Sequence, residues 1–292
     1  MNLLEKMASH LSGKGIGFIP GAGSLFFFLY QHFGPNGIGL VRAEGLEFYI
    51  DRSDHGAIPF ILRGCWEPRT TEIFKSVVKE GMTVLDMGAH VGYYTLIAAS
   101  LVGTKGHVYA FEPVPDTFNL LERNINKYEY KNVTLINKAV ADSDGIHRFY
   151  VDIKHNAMRS TLSEFYHVPN YINVLTISLD NFLGDTEVDV IKMDIEGSEM
   201  LALKGMRKII ERSPNLKIIT EANPGFLEGC GSSLEEYMQE LLKYFDVTII
   251  MDGQRHGEWG LVPYSSPDQV IGLASLPRIG GGINLYCERK VK

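Results

Sequence analysis

The sequence has few cysteines and no excess of basic residues. Its three cysteines, Cys65, Cys230 and Cys287, are widely separated, and none belongs to a CxxC pair or to a set with zinc-ligand spacing. This usage favours a reducing, cytoplasmic environment over a secreted fold held by disulfides. The formal net charge of −7 argues against nonspecific binding to nucleic acid or to an anionic membrane surface.

The N-terminal region lacks an apolar run long enough to span a membrane. The run over residues 24–30 is far shorter than the roughly 20 residues that a spanning helix needs. The glycine-rich segment 13–23 before it does not resemble a cleavable signal peptide. We expect the run to pack in the core or in a lid. The alternative is peripheral contact with a membrane that carries a lipid-linked substrate.

The sequence also lacks the G-x-G-x-x-G pattern of a dinucleotide site after its first core strand. Residues 84–95 carry D-x-G-x-x-x-G instead, with Asp86 closing a short apolar strand and Gly88 and Gly92 in the turn that opens a helix. A carboxylate there would repel a pyrophosphate but suits an ammonium group. S-adenosylmethionine (SAM) carries an ammonium, a sulfonium and a ribose, and no phosphate. The motif alone leaves SAM, NAD and an ordinary buried turn open.

A second acid, Glu112, ends the next strand. A carboxylate at this place can accept hydrogen bonds from both hydroxyls of a ribose. The first half of a nucleoside-binding α/β unit has this order of elements: a strand, a glycine-rich turn, a helix, and a second strand that ends in an acid.

Strand and helix patterns alternate from residue 83 onward, with no internal repeat. Core strands are predicted at residues 84–86, 108–111, 133–137, 188–193, 216–220, 247–251 and 283–287, and helices near residues 93–102, 115–127, 198–211 and 234–244. This order predicts an α/β, doubly wound, mostly parallel seven-stranded sheet covered on both faces. The last two strands lack a helix pattern between them, so we expect an antiparallel hairpin at one edge.

Two regions depart from the alternation. Residues 1–66 form an N-terminal extension or lid with a small hairpin near 37–50. Residues 141–180 form an insertion with a short strand at 148–151. Because ligands of open α/β sheets bind beyond the carboxyl ends of the strands, both regions are candidates for an acceptor pocket.

Several segments resemble the FkbM-type family of SAM-dependent methyltransferases. They are residues 84–95, 110–113, 139–142 and 188–199, with Trp66-Glu67, Asn124, Leu179-Asp180 and Leu203-Lys-Gly205. The Lys-x-Asp-x-Glu-Gly-x-Glu segment is the most specific part, and the resemblance covers roughly residues 40–250. It implies a Rossmann-like class I methyltransferase fold, with residues 67–292 as the methyltransferase domain and SAM as the cofactor. Family members are mostly associated with O-methylation of natural products, sugars and glycans.

The resemblance also implies a set of cofactor contacts. Asp86, Gly88 and Gly92 would surround the methionine end of SAM, with Glu67 near it. Glu112, followed by Pro113, would hold the ribose. The remaining members of this set are His90, which replaces a common family Asn, Asn137 and Ala139 at the adenine edge, and Asp194.

Polar residues at the fourth and fifth strand tips are the candidates for chemistry. Methylation of an alcohol requires removal of its proton, and Asp194, Glu221 and His155 are candidate bases. Asp194, Glu221 and Asn223 resemble the magnesium site of catechol O-methyltransferase-like enzymes, so Mg²⁺ is a candidate second cofactor. The alternative is that these strand-end acids cap the following helix. Lys192, inside the same apolar strand, is expected to pair with Asp180 or Glu221.

These residues predict O-methylation of a hydroxyl on a sugar, glycan or small natural product, with no nucleic-acid partner. An amine or carbon acceptor is the first alternative. A nucleotide-sugar or NAD-dependent enzyme and a non-catalytic SAM-binding domain are the others. Asp194-Ile-Glu-Gly197 stands where a methyltransferase of DNA or exocyclic amines would carry Asn/Asp-Pro-Pro-Tyr, which disfavours that acceptor class.

Overall fold

The computed structural model of the chain describes residue 29 and residues 37–52, 64–151, 160–162, 170–251, 260–274 and 283–290. The strands are β1 (Ile38–Ala43), β2 (Leu46–Asp51), β3 (Thr83–Met87), β4 (His107–Phe111), β5 (Val133–Ile136), β6 (Ala139–Val140), β7 (Gly145–Val151), β8 (Ser160–Thr161), β9 (Tyr171–Ile177), β10 (Val190–Met193), β11 (Lys217–Ala222), β12 (Phe245–Met251), β13 (Gly260–Pro263) and β14 (Ile283–Arg289). The helices are α1 (Pro68–Val77), α2 (Tyr93–Val102), α3 (Pro115–Tyr128), α4 (Leu179–Phe182), α5 (Glu199–Gly205), α6 (Arg207–Arg212), α7 (Pro224–Gly229), α8 (Leu234–Leu242) and α9 (Pro267–Ala274).

The central sheet has the strand order β13-β12-β14-β11-β10-β3-β4-β5. Five neighbouring strands, β11, β10, β3, β4 and β5, run parallel to one another. Strand β14 runs antiparallel to both of its neighbours, β11 and β12. The chain moves outward from β3 to β5 and then returns to place β10 on the other side of β3. This reversal creates a crevice at the carboxyl ends of β3 and β10, where open α/β sheets bind ligands. The doubly wound, mostly parallel α/β fold is confirmed.

The prediction of seven strands, with a hairpin at the edge, needs correction. The sheet has eight strands, because β13 pairs with the outer side of β12 and forms the edge. The last strand, β14, does pair antiparallel with β12, but it lies between β11 and β12. Helix α9 also separates the two strands in sequence. Neither β13, which has four residues, nor the short helix α9 shows a clear hydrophobic period in the sequence.

Each face of the sheet is covered by helices. Along β3, Val84 packs with α1, α2 and α3 on one face, whereas Leu85 packs with α5, α6 and α8 on the other. Burial on both faces explains why the central strands are nearly continuous apolar runs.

The helix predicted over residues 198–211 is two helices, α5 and α6, separated at Met206. Gly205 lies against the insertion, since a Cβ there would be 2.1 Å from the carbonyl oxygen of Ala141. Asp180 then accepts hydrogen bonds from the backbone amides of Lys208 (3.1 Å) and Ile209 (3.0 Å). A side chain from outside the helix thus satisfies amides at the start of α6, where the helical hydrogen bonds restart.

The hairpin of β1 and β2 is attached to the central α/β fold by Asn124 of α3. The backbone of Tyr49 donates to Oδ1 of Asn124 (2.6 Å) and accepts from its Nδ2 (2.9 Å), which also donates to the carbonyl of Val91 (2.8 Å). Phe48 and Ile50 join the hydrophobic cluster that contains α2 and α3. The hairpin is therefore anchored on the turn that precedes α2. The proposed division of the chain at residue 66 stays a prediction.

The insertion contributes a second, four-stranded sheet with the order β6-β9-β7-β8. Its buried residues Phe149, Val151 and Val174 pack with Ala139 and with Val114, which follows the end of β4. The strand expected at 148–151 lies within β7. Strand β9 was not predicted, although its sequence is rich in β-branched and aromatic residues. In the described part of the chain, no helix is both long and apolar enough to cross a membrane. Apart from Leu29, the apolar run at 24–30 lies outside the described residues.

Candidate methyl-transfer site

The glycine turn, residues 88–92, connects β3 to α2. Gly88 has φ +79°, and a Cβ there would lie 1.9 Å from the carbonyl oxygen of Asp194. Gly92 has φ +93° and precedes the first residue of α2, where a Cβ would lie 2.7 Å from Leu121. Glycine at 88 lets the ends of β3 and β10 approach each other, and glycine at 92 lets the start of α2 approach α3, because a side chain at either position would clash and strain the backbone.

Two buried acids flank this turn. Asp86 accepts a hydrogen bond from the hydroxyl of Thr95 (2.5 Å), and burial raises the pKa of Asp86 to about 6. Glu112 accepts from the backbone amides of His90 at Oε2 (3.0 Å) and Val114 at Oε1 (2.9 Å), while burial raises its pKa as well. Because each carboxylate oxygen has more than one lone pair, both oxygens of Glu112 keep the capacity for a further donor.

The predicted adenine-edge residues lie beside Glu112. The side-chain amide of Asn137 donates to the carbonyl of Glu112 (2.8 Å) and to that of Pro113 (3.2 Å). Ala139 is buried and packs in the same cluster as Val114. These contacts hold the backbone that follows β4. A contact of these residues with a ligand stays a prediction.

Lys192 is buried and forms an ion pair with Asp194. Its Nζ lies 3.0 Å from Oδ2 of Asp194 and 5.1 Å from the ring centroid of Tyr94. Burial alone would lower the pKa of Lys192, but the carboxylates of Asp194 and Glu67 raise it above its usual value, so the ammonium stays charged. The expected pairing with Asp180 or Glu221 is wrong. The partner is Asp194, which lies two residues further along the chain, directly after β10.

Three carboxylates, which we call the acid cluster, meet beyond the ends of β10 and β11. They belong to Asp194, Glu196 and Glu221, and one oxygen of each lies within 4.8 Å of the others. Burial raises the pKa of Glu221 well above its usual value, and Asp194 adds to the effect. The pKa of Glu196 is raised by burial and then by Glu221. Glu196 stands in the Lys-x-Asp-x-Glu motif and is the third member of the cluster.

Asn223, the third oxygen ligand of the predicted magnesium site, makes a contact within its own turn. Its Oδ1 accepts from the backbone amide of Phe226 (3.3 Å) and caps α7. Glu199, at the start of α5, similarly accepts from the backbone amide of Ile195 (3.2 Å), and burial raises its pKa to about 7. Both side chains thus satisfy backbone donors in these turns.

Glu67 lies next to the cluster and is held at both carboxylate oxygens. Oε1 accepts from Nδ2 of Asn284 in β14 (2.8 Å), and Oε2 accepts from the hydroxyl of Tyr94 in α2 (3.2 Å). The backbone of Glu67 has φ +40°, a conformation that non-glycine residues rarely adopt and that functional sites often contain. The remaining candidate base, His155, lies outside the described residues.

A model of the Methyltransferase FkbM domain matches residues 86–250, more than half of the chain. The chain belongs to the FkbM family of SAM-dependent methyltransferases. This FkbM-family methyltransferase is 29% identical over 161 residues to the hexuronic acid methyltransferase AglP of Haloferax volcanii, a match covering 54% of the chain and 62% of AglP. It is 41% identical over 59 residues to a protein-L-isoaspartate O-methyltransferase of Methanothrix thermoacetophila, covering 20% and 28% of the two chains. The match thus spans less than two thirds of each relative.

Solved structures resemble the FkbM-family methyltransferase more distantly. A SAM-dependent O-methyltransferase from Thermotoga maritima gives a TM-score of 0.44 at 15% identity, covering 93% of this chain and 82% of that one. A methyltransferase from Streptococcus mutans in complex with S-adenosylhomocysteine (SAH) gives 0.44 at 13%, covering 77% and 98%. The family assignment rests on the domain match.

The matched segment of the FkbM-family methyltransferase begins at Asp86 and ends before the last strand. It contains the glycine turn, Glu112 and the acid cluster. Glu67 and Asn284 both lie outside it, on opposite sides, yet hydrogen-bond to each other. This hydrogen bond therefore joins two segments beyond the family match next to the acid cluster.

Proposed function

We propose that this FkbM-family methyltransferase transfers the methyl group of SAM to a hydroxyl of a sugar or glycan. The proposal is carried by the position of Asp194 at the carboxyl end of β10. Its side chain is 29% exposed, and the buried Lys192 holds one of its oxygens. A fixed, accessible carboxylate at the switch point of an α/β sheet is suited to accept a hydroxyl proton. The similarity to a hexuronic acid methyltransferase supports a sugar acceptor.

The residues around the glycine turn fit SAM chemically. Glu112 would hold the ribose hydroxyls, since its two oxygens are oriented by backbone amides. Asp86 and Glu67 would face the cationic methionine end, with Gly88, His90 and Gly92 in the turn between. Asn137, Pro113 and Ala139 would border the adenine. Bound SAM supplies an electrophilic methyl group on a sulfonium.

The protein must align the acceptor with SAM and remove the proton of the acceptor hydroxyl. Methyl transfer to oxygen needs the acceptor oxygen, the methyl carbon and the sulfur in line, with water excluded. We assign the hydroxyl proton to the carboxylate of Asp194, with the Lys192 ammonium keeping that carboxylate in place. Glu196 and Glu221, whose pKa values are raised by burial and by neighbouring charge, surround the proton-accepting group. His155 is the alternative base.

The acceptor pocket is assigned to residues 1–66 and 141–180. The support comes from the insertion sheet, whose buried residues pack on Ala139 and Val114 beside the end of β4. Loops and additions over a rigid sheet usually determine specificity. A lipid-linked acceptor, with peripheral membrane contact, remains part of this proposal.

An assay with methyl-labelled SAM and a panel of acceptors tests the function. The panel holds uronic-acid oligosaccharides, neutral oligosaccharides and amino sugars. We expect label in an alkali-stable methyl ether on a sugar hydroxyl, at rates that fall in the Asp194→Asn variant. Label on nitrogen or carbon, or in an alkali-labile ester, would contradict O-methylation of a hydroxyl.

Activity should survive removal of divalent cations. The acid cluster has the oxygen chemistry that Mg²⁺ prefers, but the Lys192 ammonium already lies 3.0 Å from Asp194 and would repel a divalent ion there. We therefore expect enzyme treated exhaustively with EDTA to keep most of its turnover. The control is the same enzyme after addition of excess MgCl₂. Loss of turnover that Mg²⁺ restores would instead assign a metal to Asp194, Glu196 and Glu221.

A further inference from the structure

Asn284 is a buried amide near the start of β14. The residue is 8% exposed and stands between Ile283 and Leu285, which are also buried. Its Nδ2 donates to Oε1 of Glu67 at 2.8 Å. Its Oδ1 is buried, and among the described residues no group donates a hydrogen bond to it. A buried amide oxygen without a donor is costly, so a ligand group that donates to this atom would bind favourably.

The surroundings of Asn284 indicate the charge of that ligand. Asn284 is directly opposite Glu221 in the antiparallel pairing of β11 and β14, so the two side chains lie on the same face of the sheet. Glu67 is bound to its Nδ2. A donor that reaches Oδ1 therefore has two acidic residues as neighbours, which favours a cation such as an ammonium group over a neutral hydroxyl.

The same network connects Asn284 to the glycine turn. Tyr94, the second residue of α2, donates to Oε2 of Glu67 (3.2 Å), while Asn284 donates to Oε1. Donors from α2 and β14 thus fix both carboxylate oxygens of Glu67, whose backbone has φ +40°. This places Asn284 beside the segment that follows the glycine turn, at the end of the site where the proposed function locates the amino-acid part of SAM.

We propose that Asn284 is a binding residue for the methionine end of SAM. Its Nδ2 holds Glu67 in position, and its Oδ1 accepts a hydrogen bond from the α-ammonium group. The proposal rests on the proposed function for the identity of the ligand. It adds a contact from the last strand of the sheet, outside the segment that matches the family.

A pair of ligands separates this role from a structural one. SAH carries the amino-acid group, and 5′-methylthioadenosine carries the same nucleoside without it. Titration calorimetry on Asn284→Leu, which is close in volume, should show SAH affinity lower by about tenfold or more, the scale of losing a hydrogen bond to a charged group. The affinity for 5′-methylthioadenosine should be unchanged. Tyr286→Phe, two residues along the same strand, is the matched control and should bind both ligands as the wild type does.

The outcomes distinguish this proposal from the proposed function. If the wild type binds SAH and Asn284→Leu binds it equally well, the assignment of Asn284 is overturned. It is overturned as well if both ligands weaken equally, because that pattern indicates a structural role. If the wild type binds neither ligand, the proposed function fails. Asn284→Ser provides a second variant if thermal unfolding shows that Asn284→Leu does not fold.

Discussion

Replacing Glu112 by alanine should weaken SAH binding by about 10- to 150-fold. The carboxylate ends β4, and the amides of His90 and Val114 hold its two oxygens in a fixed orientation. Such a group binds a ribose diol through two charge-assisted hydrogen bonds, whose loss costs about 1.5–3 kcal/mol. Titration calorimetry with SAH measures the change directly. The same titration with NAD should show no binding to the wild type, since Asp86 opposes a pyrophosphate.

Two variants complete the test of Glu112. Glu112→Gln keeps the size and one acceptor oxygen, so it should lose less affinity than Glu112→Ala. Glu122→Ala removes an exposed glutamate from α3 and should leave SAH affinity unchanged. Unchanged affinity in Glu112→Ala itself would remove this residue from the cofactor site.

The central fold was predictable because burial on two faces leaves a strong signal. The strand predicted at 84–86 is the core of β3, and helix α2 has the predicted bounds, Tyr93–Val102. The prediction of strand order at the β12 edge of the sheet was wrong, because order depends on which strands pair and not on the hydrophobic period of each strand. Nothing in the local sequence of β14 indicates that it enters between β11 and β12, because strand order depends on contacts between distant segments.

In the candidate site, too, some residues were predictable from the local sequence and others only from the folded structure. Asp194 and Glu221 were predictable at the strand tips, since parallel strands end at one edge of the sheet. The capping role of Asn223 was missed, although the Asn-Pro sequence at 223–224 is typical of a helix start. Its place in a metal site stays a prediction. The bond between Glu67 and Asn284 joins residues 217 positions apart, so only the folded arrangement reveals it.

Asp194→Asn should lower turnover by at least about 100-fold at saturating SAM, the usual scale for losing an acid–base or electrostatic group. The substitution keeps the size of the side chain and a hydrogen-bonding oxygen for Lys192, but removes the charge that takes the hydroxyl proton. Steady-state kinetics measures the effect, and SAH titration on the same variant shows whether binding changes too. Thermal unfolding checks that the buried Lys192, left without its counter-charge, does not unfold the protein.

Comparison with two further variants identifies the base. Asp180→Asn alters a carboxylate that caps α6 and should keep its turnover, so it controls for the loss of one negative charge. His155→Ala should also keep most of its turnover, because Asp194 takes the proton in the proposed mechanism. If Asp194→Asn instead remains within about threefold of the wild type, well short of the effect of losing a general base, Asp194 is a strand-end residue that anchors Lys192. A large loss in His155→Ala would then assign proton removal to the insertion rather than to the tip of β10.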